Sequence, residues 1–363
     1  MLSWVEIYLG AIKENIRRLK KLIGPKVGLI AVVKSNAYGH GLLESARAMV
    51  EAKVDFLAVF DLEEALLLQK AGFSVPILIM GGLKEEEAEV VSRFGFHCFA
   101  WDWAFLKRLS AAGGGAIHLK VDTGMHRLGL FPEELADFLP KLKKLKKIRL
   151  EGLASHFASA DERDYSLFQL ERFQKAIRLV EQAGFRPKVH MANSVATLFL
   201  PEARFDFVRP GALLYGFSPN PSLRLPLKLE PALALKTTIL QVKEVPAAVS
   251  VGYGRTYQTE KPSRLAVLGI GYAHGYDCRL SNKGEILIKG VRCPVVGRVC
   301  MNQTIVNLNP LGRLKVKPGD CVTLIGQDGG DRITVEEIAQ KANMIPHEVT
   351  SRIPKEIKRI YVD

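Results

Sequence analysis

Eight short apolar runs, at residues 27–33, 56–60, 76–80, 97–100, 117–121, 150–155, 189–192 and 207–208, punctuate the first part of this chain. Between them lie amphipathic stretches such as 42–52, 62–71, 84–94 and 165–183, several of which end near a glycine (Gly72, Gly95, Gly184), as helices do. Runs this short and rich in Val, Ile and Leu read as strands buried on both faces. Eight strand–helix units in about two hundred residues fit an α/β fold, a (β/α)8 barrel of the TIM type. Periodicity alone also allows an open doubly wound sheet. No GxGxxG follows the first run, which counts against dinucleotide binding. Ahead of the units, residues 4–9 read as a short strand. Residues 11–23 read as a helix with Ile12, Ile16, Leu19 and Ile23 on one face, ended by Gly24 and Pro25.

The first run stops at a single lysine, Lys34, which therefore stands at the carboxyl end of a strand, where ligands bind in parallel α/β architectures. An amine held against apolar walls loses some preference for its charged form and becomes a better nucleophile, as Schiff-base chemistry requires. Asn36, Tyr38, Gly39, His40 and Gly41 make a polar, glycine-bearing turn after it, suited to a phosphate or cofactor. Taken alone, a strand-end lysine also reads as one pointing to solvent.

After Tyr215 the texture changes. Ser218-Pro219-Asn220-Pro221 and Pro226 are linker-like, and from Leu235 onward come short β-prone runs at 239–245, 264–270, 285–289, 291–296, 304–308 and 321–325, with one helix at 334–342. The expected organisation is a barrel domain over 1–225 and a mostly-β domain over 226–363.

The amino terminus is amphipathic and interrupted by charge, so it reads neither as a signal peptide nor as a membrane span, and a cytoplasmic protein with no membrane partner is expected. Cys98, Cys278, Cys293, Cys300 and Cys321 lack CxxC spacing and read as free thiols, with no metal site. The net charge of +13 is densest in KLKKLKKIR, 141–149. Leu142, Leu145 and Ile148 recur there at helical spacing, so the lysines form a solvated helix face and no nucleic-acid partner is expected. A basic protein also suits an anionic substrate and cofactor.

AVVKSNAYGHG, 31–41, resembles the pyridoxal-phosphate lysine signature of the alanine racemase family, with Ser35 where the family usually has Ala. Later motifs extend the resemblance over essentially the whole chain. It implies pyridoxal 5'-phosphate on Lys34 and Arg209, in FDFVRPG, against the pyridine nitrogen. An arginine only donates, so it keeps that nitrogen unprotonated, weakens the electron sink and suppresses transamination. In HMANS, Asn193 and Ser194 fall where a strand hands over to a helix, an anion-binding position, although Ser194 reads equally as a helix cap. The resemblance adds Gly211, Ala212 and Tyr38 as further phosphate contacts. It places Arg127 of KVDTGMHRLG on the cofactor phenolate and the substrate carboxylate, oriented by Lys120, which can be carbamylated in the family. His156 of LASHFASAD becomes a partner of Arg209, where the residue alone reads equally as a core histidine.

In the second domain, SVGYGRTY is similar to the family's catalytic tyrosine motif, with Tyr253 as acid/base. Racemisation takes a proton from one face of Cα and returns one to the other, which two bases, Lys34 and Tyr253, achieve most simply. A free phenol titrates near pH 10 and is a poor base at neutral pH, so cations must assist; Arg209 acting through His156 is the candidate. Tyr272 of GIGYAHG would line the entry, and Met301 of CMN would offer its backbone N–H to the carboxylate. Three further positions depart from the family: His274 and Asn302 each replace a common carboxylate, and Ser351 stands where some relatives place a phosphate-contacting tyrosine. The implied function is a homodimeric alanine racemase with shared active sites, supplying D-alanine for peptidoglycan. The alternatives are a broad-specificity amino-acid racemase of the same fold and a non-catalytic pyridoxal-phosphate-binding protein; the latter type typically lacks the β-domain and the equivalent of Tyr253.

Overall fold

The computed structural model describes residues 2–363. All eight apolar runs become parallel strands of one closed barrel: β2 (Gly28–Val32), β3 (Phe56–Val59), β4 (Ile77–Ile79), β5 (His97–Ala100), β6 (Gly115–Lys120), β7 (Ile148–Ala154), β8 (Lys188–His190) and β9 (Phe207–Val208). β9 returns to β2 through Gly28↔Phe207 and Leu29↔Val208, which closes the barrel and rules out the doubly wound alternative. Their side chains are buried on both faces, for example Leu29, Ile30, Ala31, Leu57, Ala58, Val59, Ile117 and Leu119. Each fully buried Leu, Ile or Val contributes roughly 1.5–3 kcal/mol. The helices begin and end where local chemistry dictates. Asp61 caps Leu62–Lys70 and Asp102 caps Trp103–Ala111 through their carboxylates, and left-handed Gly95 stops Ala88–Phe94.

The remaining strands, β1 (Ser3–Tyr8), β10 (Leu233–Val245), β11 (Ser250–Val251), β12 (Tyr257–Gln258), β13 (Ser263–Leu268), β14 (Glu285–Ile288), β15 (Val291–Pro294), β16 (Thr304–Asn307), β17 (Cys321–Asp328), β18 (Asp331–Ile333) and β19 (Arg359–Val362), build a mostly-β unit. Its sheet runs β15-β14-β17-β10-β1-β19, with β13, β16 and β18 attached, while β11 and β12 form a separate hairpin. The long β10 is the spine.

The chain divides into two compact units elsewhere than at 225/226. The barrel unit holds Lys13–Ala37 and Leu42–Leu214; the β unit holds Tyr38–Gly41, Tyr215–Asp363 and the amino-terminal residues through Ile12. The reason is β1. It pairs antiparallel with β10 and parallel with β19, so the first strand of the chain belongs to the second unit's sheet. Nothing in a short run at the amino terminus announces partners more than two hundred residues away.

Candidate active site

Lys34 follows β2 and opens a backbone turn of unusual hand. Ser35, Asn36, Ala37 and Tyr38 all lie at φ between 52° and 56°, a left-handed turn that costs roughly 1–2 kcal/mol per non-glycine residue. Hydrogen bonds hold it. Ala37 N donates to Val33 O (2.8 Å), Asn36 N to Glu64 Oε1 (3.0 Å) and Leu42 N to Asn36 Oδ1 (2.9 Å). Glu64 also accepts from Phe60 N (3.2 Å), so one carboxylate ties the turn after β2 to the loop after β3. Burial lowers the Lys34 pKa, Arg127 lowers it further, and Glu64 partly offsets both.

Arg127 is positioned by Asp122. The buried carboxylate accepts four backbone N–H groups, from Gly124, Met125 and His126 on Oδ1 and from Arg127 on Oδ2, at 2.9–3.0 Å. Burial alone would raise the Asp122 pKa, but these bonds and Lys120 hold it below the usual range. Lys120 ends β6, buried, with Nζ donating to Val121 O at 3.0 Å. Burial, then Arg209 and Arg127, push its amine down to about 7 against the pull of Asp122.

Arg209, one residue past β9, is buried, and among the described residues no carboxylate bonds to it. Nη1 donates to His190 Nδ1 (2.6 Å) and His190 O (2.9 Å); Nη2 donates to Ser155 O (2.6 Å), His156 Nδ1 (3.1 Å) and Met191 O (3.3 Å). A guanidinium has five N–H donors. Four are engaged, and Nε–H is the one these bonds leave over. Beyond β8, Asn193 rather than Ser194 caps the next helix, its Oδ1 accepting from Ala196 N (3.0 Å). Ser194 Oγ instead accepts from Gly211 N (3.0 Å), so its own O–H remains to be donated and the Gly211 amide is already shared. Ala212 is buried beside it in the chain. Tyr38 packs against Tyr215 and His347, with ring centroids 5.0 and 5.7 Å away, and burial raises its pKa.

The barrel thus brings together Lys34, Lys120, Arg127, His156 and Arg209, close enough that Arg209, Lys120, Arg127 and Lys34 all depress the His156 pKa after burial itself. Asp122 and Glu64, the carboxylates coupled to these cations, are committed to backbone amides. Such a field suits an anion.

Tyr253, Tyr272 and Met301 gather separately, in the β unit. With Cys300 and Asn302 they line a cleft of about 1010 Å³. Tyr272 N donates to Cys300 O and Ala273 N to Met301 O, both at 3.0 Å, which ties the two segments together. Tyr253 stands between two left-handed glycines, Gly252 and Gly254. His274 Nδ1 accepts from Gly271 N (3.1 Å), and Ser351 Oγ donates to His347 O (2.7 Å), so both departures have local structural partners. Sequence reasoning missed the roles of Asp122 and Glu64. The Asp-Thr-Gly string signals an Asx-type turn, whereas Glu64 sits in an ordinary amphipathic helix and carries no signal.

A barrel with a strand-end lysine and a buried arginine, followed by a β-domain presenting a tyrosine, is the frame of a two-domain enzyme whose barrel mouth suits an anionic group. Comparison with known proteins narrows it. Residues 7–219 match the family described as alanine racemase, N-terminal domain, and residues 232–361 the alanine racemase, C-terminal domain. The chain is 42% identical to "Alanine racemase 2" of Caldanaerobacter subterraneus subsp. tengcongensis, over 99% of this chain and 94% of that protein. Its fold matches the alanine racemase of Streptomyces lavendulae with a TM-score of 0.95 at 34% identity, covering 100% and 97% of the two chains. It also matches the alanine racemase of Bartonella henselae, solved with covalently bound pyridoxal phosphate, with a TM-score of 0.90 at 30% identity and 100% coverage of both. The chain belongs to the alanine racemase family.

Proposed function

We propose that this chain interconverts L-alanine and D-alanine with pyridoxal 5'-phosphate held at Lys34, by a two-base reaction in a homodimer with shared sites. The state of Arg209 carries the reading: a buried cation without a carboxylate, four donors engaged and Nε–H left over at a strand end. That donor set fits a pyridine nitrogen that must accept and not be protonated. The surrounding cations and the Ser194 hydroxyl fit a phosphate. When bound, pyridoxal phosphate supplies an electron sink that acidifies the Cα–H of an amino acid.

The chain's own residues do the rest. Lys34 holds the cofactor and moves a proton at one face of Cα, helped by the lowered pKa of its amine. Ser194, Asn193 through its amide N–H, the Gly211 and Ala212 backbone and Tyr38 hold the phosphate. Arg127, set by Asp122 and accompanied by Lys120, takes the substrate carboxylate, with the Met301 N–H of the partner subunit. Tyr253 of the partner subunit moves the proton at the opposite face, and Tyr272 lines the entry. His156 accepts from Arg209 at Nδ1, so in its neutral form Nε2–H is the donor it offers to the Tyr253 oxygen. The reading carries a cytoplasmic location and D-alanine supply for peptidoglycan; among the described residues no helix is long and apolar enough to cross a membrane.

A broader amino-acid racemase is the second reading, favoured by His274 and Asn302, which leave the entry without two carboxylates. Chiral chromatography after adding D-alanine, D-serine, D-lysine or D-arginine separates the two: the first reading expects alanine to turn over far faster than the rest. Borohydride should fix the cofactor to Lys34; a reduced adduct mapped to Lys120 would overturn the assignment of the attachment site.

A further inference from the structure

TIM-type barrels usually fill their interior with layers of branched apolar side chains. Here three imidazoles run through it in line. His97 Nδ1 lies 3.1 Å from His118 Nε2, His118 Nδ1 lies 2.7 Å from His190 Nε2, and His190 Nδ1 lies 2.6 Å from Arg209 Nη1. His118 and His190 are buried, and His97, at the first position of β5, is partly exposed. Phe56 packs edge-on against His97 and His118, and Phe99 stacks on His190. The barrel makes room for the middle ring: a Cβ on Gly152 of β7 would fall 2.1 Å from His118 Nδ1. Among the described residues no group of three or more His, Cys, Asp or Glu could hold a metal, so these rings form a chain and not a ligand set.

The direction of this chain follows from its end. A guanidinium has no acceptor, so His190 Nδ1 must accept from Arg209 and the His190 proton sits on Nε2. That proton can only be donated to His118 Nδ1, which fixes the His118 proton on Nε2, which in turn is donated to His97 Nδ1. An imidazolium at His118 or His190 would set N–H against N–H. Burial lowers the pKa of both, with Arg209 and the neighbouring histidines adding to it; His118 is brought to about 3. His97 faces Glu151 and Arg149 from β7 and is also lowered, chiefly by burial.

We propose that His97, His118 and His190 are positioning residues for Arg209, a neutral column with every proton on Nε2 that serves the guanidinium in place of a carboxylate. Aligned hydrogen bonds polarise one another in a low-dielectric interior, so the column supports the charge of Arg209 cooperatively. A carboxylate would do so by cancelling it. The column leaves the positive field of the barrel mouth intact and the guanidinium plane fixed, with Nε–H unspent. The consequence for turnover rests on the proposed reading of Arg209; the proton order does not.

Selective 15N-histidine labelling of the holoenzyme and long-range 1H–15N correlation, assigned with single-histidine variants, reads the protons directly. The expected result at pH 7 is neutral Nε2–H for His97, His118 and His190; an Nδ1–H form or an imidazolium at His118 or His190 overturns the proposal. His118→Phe fills the same space without an acceptor. It should release the His190 proton from its fixed state and lower kcat about tenfold with KM nearly unchanged. His118→Gln, which accepts and donates along the same line, should restore most of both and remains testable where the Phe variant does not fold. A His118→Phe enzyme with wild-type kcat and an undisturbed His190 signal would make the column mere filling. A wild-type enzyme that shows the proton order but does not racemise alanine would refute the function instead.

Discussion

Arg209 and Tyr253 stand at opposite extremes. The guanidinium is 4% exposed and spends four of its five donors on named acceptors, whereas the phenol is 73% exposed, beside Tyr272 at 46% and Met301 at 56%. The barrel half is pre-organised within one chain: Asp122 sets the Arg127 loop, Glu64 clamps the left-handed turn after Lys34, and the histidine column steadies Arg209. The β-domain half is a set of solvent-facing side chains on a well-tied scaffold. Large exposed aromatic and methionine side chains around a cleft mark a surface for a ligand or a partner. The contrast teaches that the barrel side chains are held by their own chain's hydrogen bonds, while the proposed second base stands in solvent, and the proposed homodimer would cover it with another copy of the chain.

The largest effects test that division outright. Lys34→Ala and Tyr253→Ala should each abolish racemisation. Mixed and allowed to exchange subunits, they should recover about a quarter of wild-type activity, because half the dimers are mixed and each has one intact site of two. Mass-tagged subunits verify exchange. Demonstrated exchange with background activity would show that each site lies within one chain.

Tyr253→Phe comes next. It removes a proton donor without disturbing a packed environment, so cofactor binding should persist while racemisation falls roughly a thousandfold or more, within the range of losing an acid/base group. In deuterated water the variant should still exchange the α-proton of D-alanine, the enantiomer expected to face Lys34. Equal exchange of L-alanine would show that the two bases do not divide the faces.

How much of this was legible in the sequence follows the same contrast. The barrel was readable because its strands are local apolar runs: 97–100 and 207–208 coincide with β5 and β9, and the other six runs differ at their ends by a residue or two. Lys34 was readable because one charge ends an apolar run. β1, β18, β19 and the β11–β12 hairpin were not identified as parts of the second sheet or its satellite, since their pairing depends on contacts distant in sequence or on strands of two or three residues. The histidine column was invisible for a related reason. His97, His118 and His190 each look like one polar residue in a different strand, and only barrel closure puts them in line.

A smaller effect separates the two regions again. Glu64→Gln keeps one acceptor for the amides of Asn36 and Phe60 and turns the other into a donor facing an N–H. The strained turn should lose about 1–3 kcal/mol of support, seen as a lower denaturation midpoint together with a roughly tenfold lower kcat. Asn302→Ala, in the exposed cleft, should change kcat by less than about threefold and leave the midpoint unmoved, as surface changes usually do. Equal losses in both variants would erase the distinction between a pre-organised barrel and a partner-dependent cleft.

The effect with the least bearing on turnover is a slope and not a loss. Burial, with Arg209 and Arg127, lowers the Lys120 pKa from 10.5 to about 7 in the folded chain, while the unfolded chain keeps an ordinary lysine near 10.4. Below about pH 7 both states hold the proton, and the full penalty of a buried ammonium is present. Between about pH 7 and 10 the unfolded state binds more protons, so stability must rise with pH. Lys120→Met, of similar length and without charge, removes this contribution. In carbon-dioxide-free buffer the variant should therefore be more stable than wild type at pH 6, by on the order of a few kcal/mol, and lose that advantage by pH 9.5. Urea midpoints at the two pH values measure it. Bicarbonate offers a second handle, because a neutral amine adds carbon dioxide to give an anionic carbamate that pairs with arginine. Adding it at pH 8 should raise the wild-type midpoint, leave Lys120→Met unchanged, and place a 13C carbamate signal on Lys120. A parallel pH dependence in wild type and variant would mean that Lys120 keeps its proton when buried, as a fixed cation of the barrel mouth across this whole range.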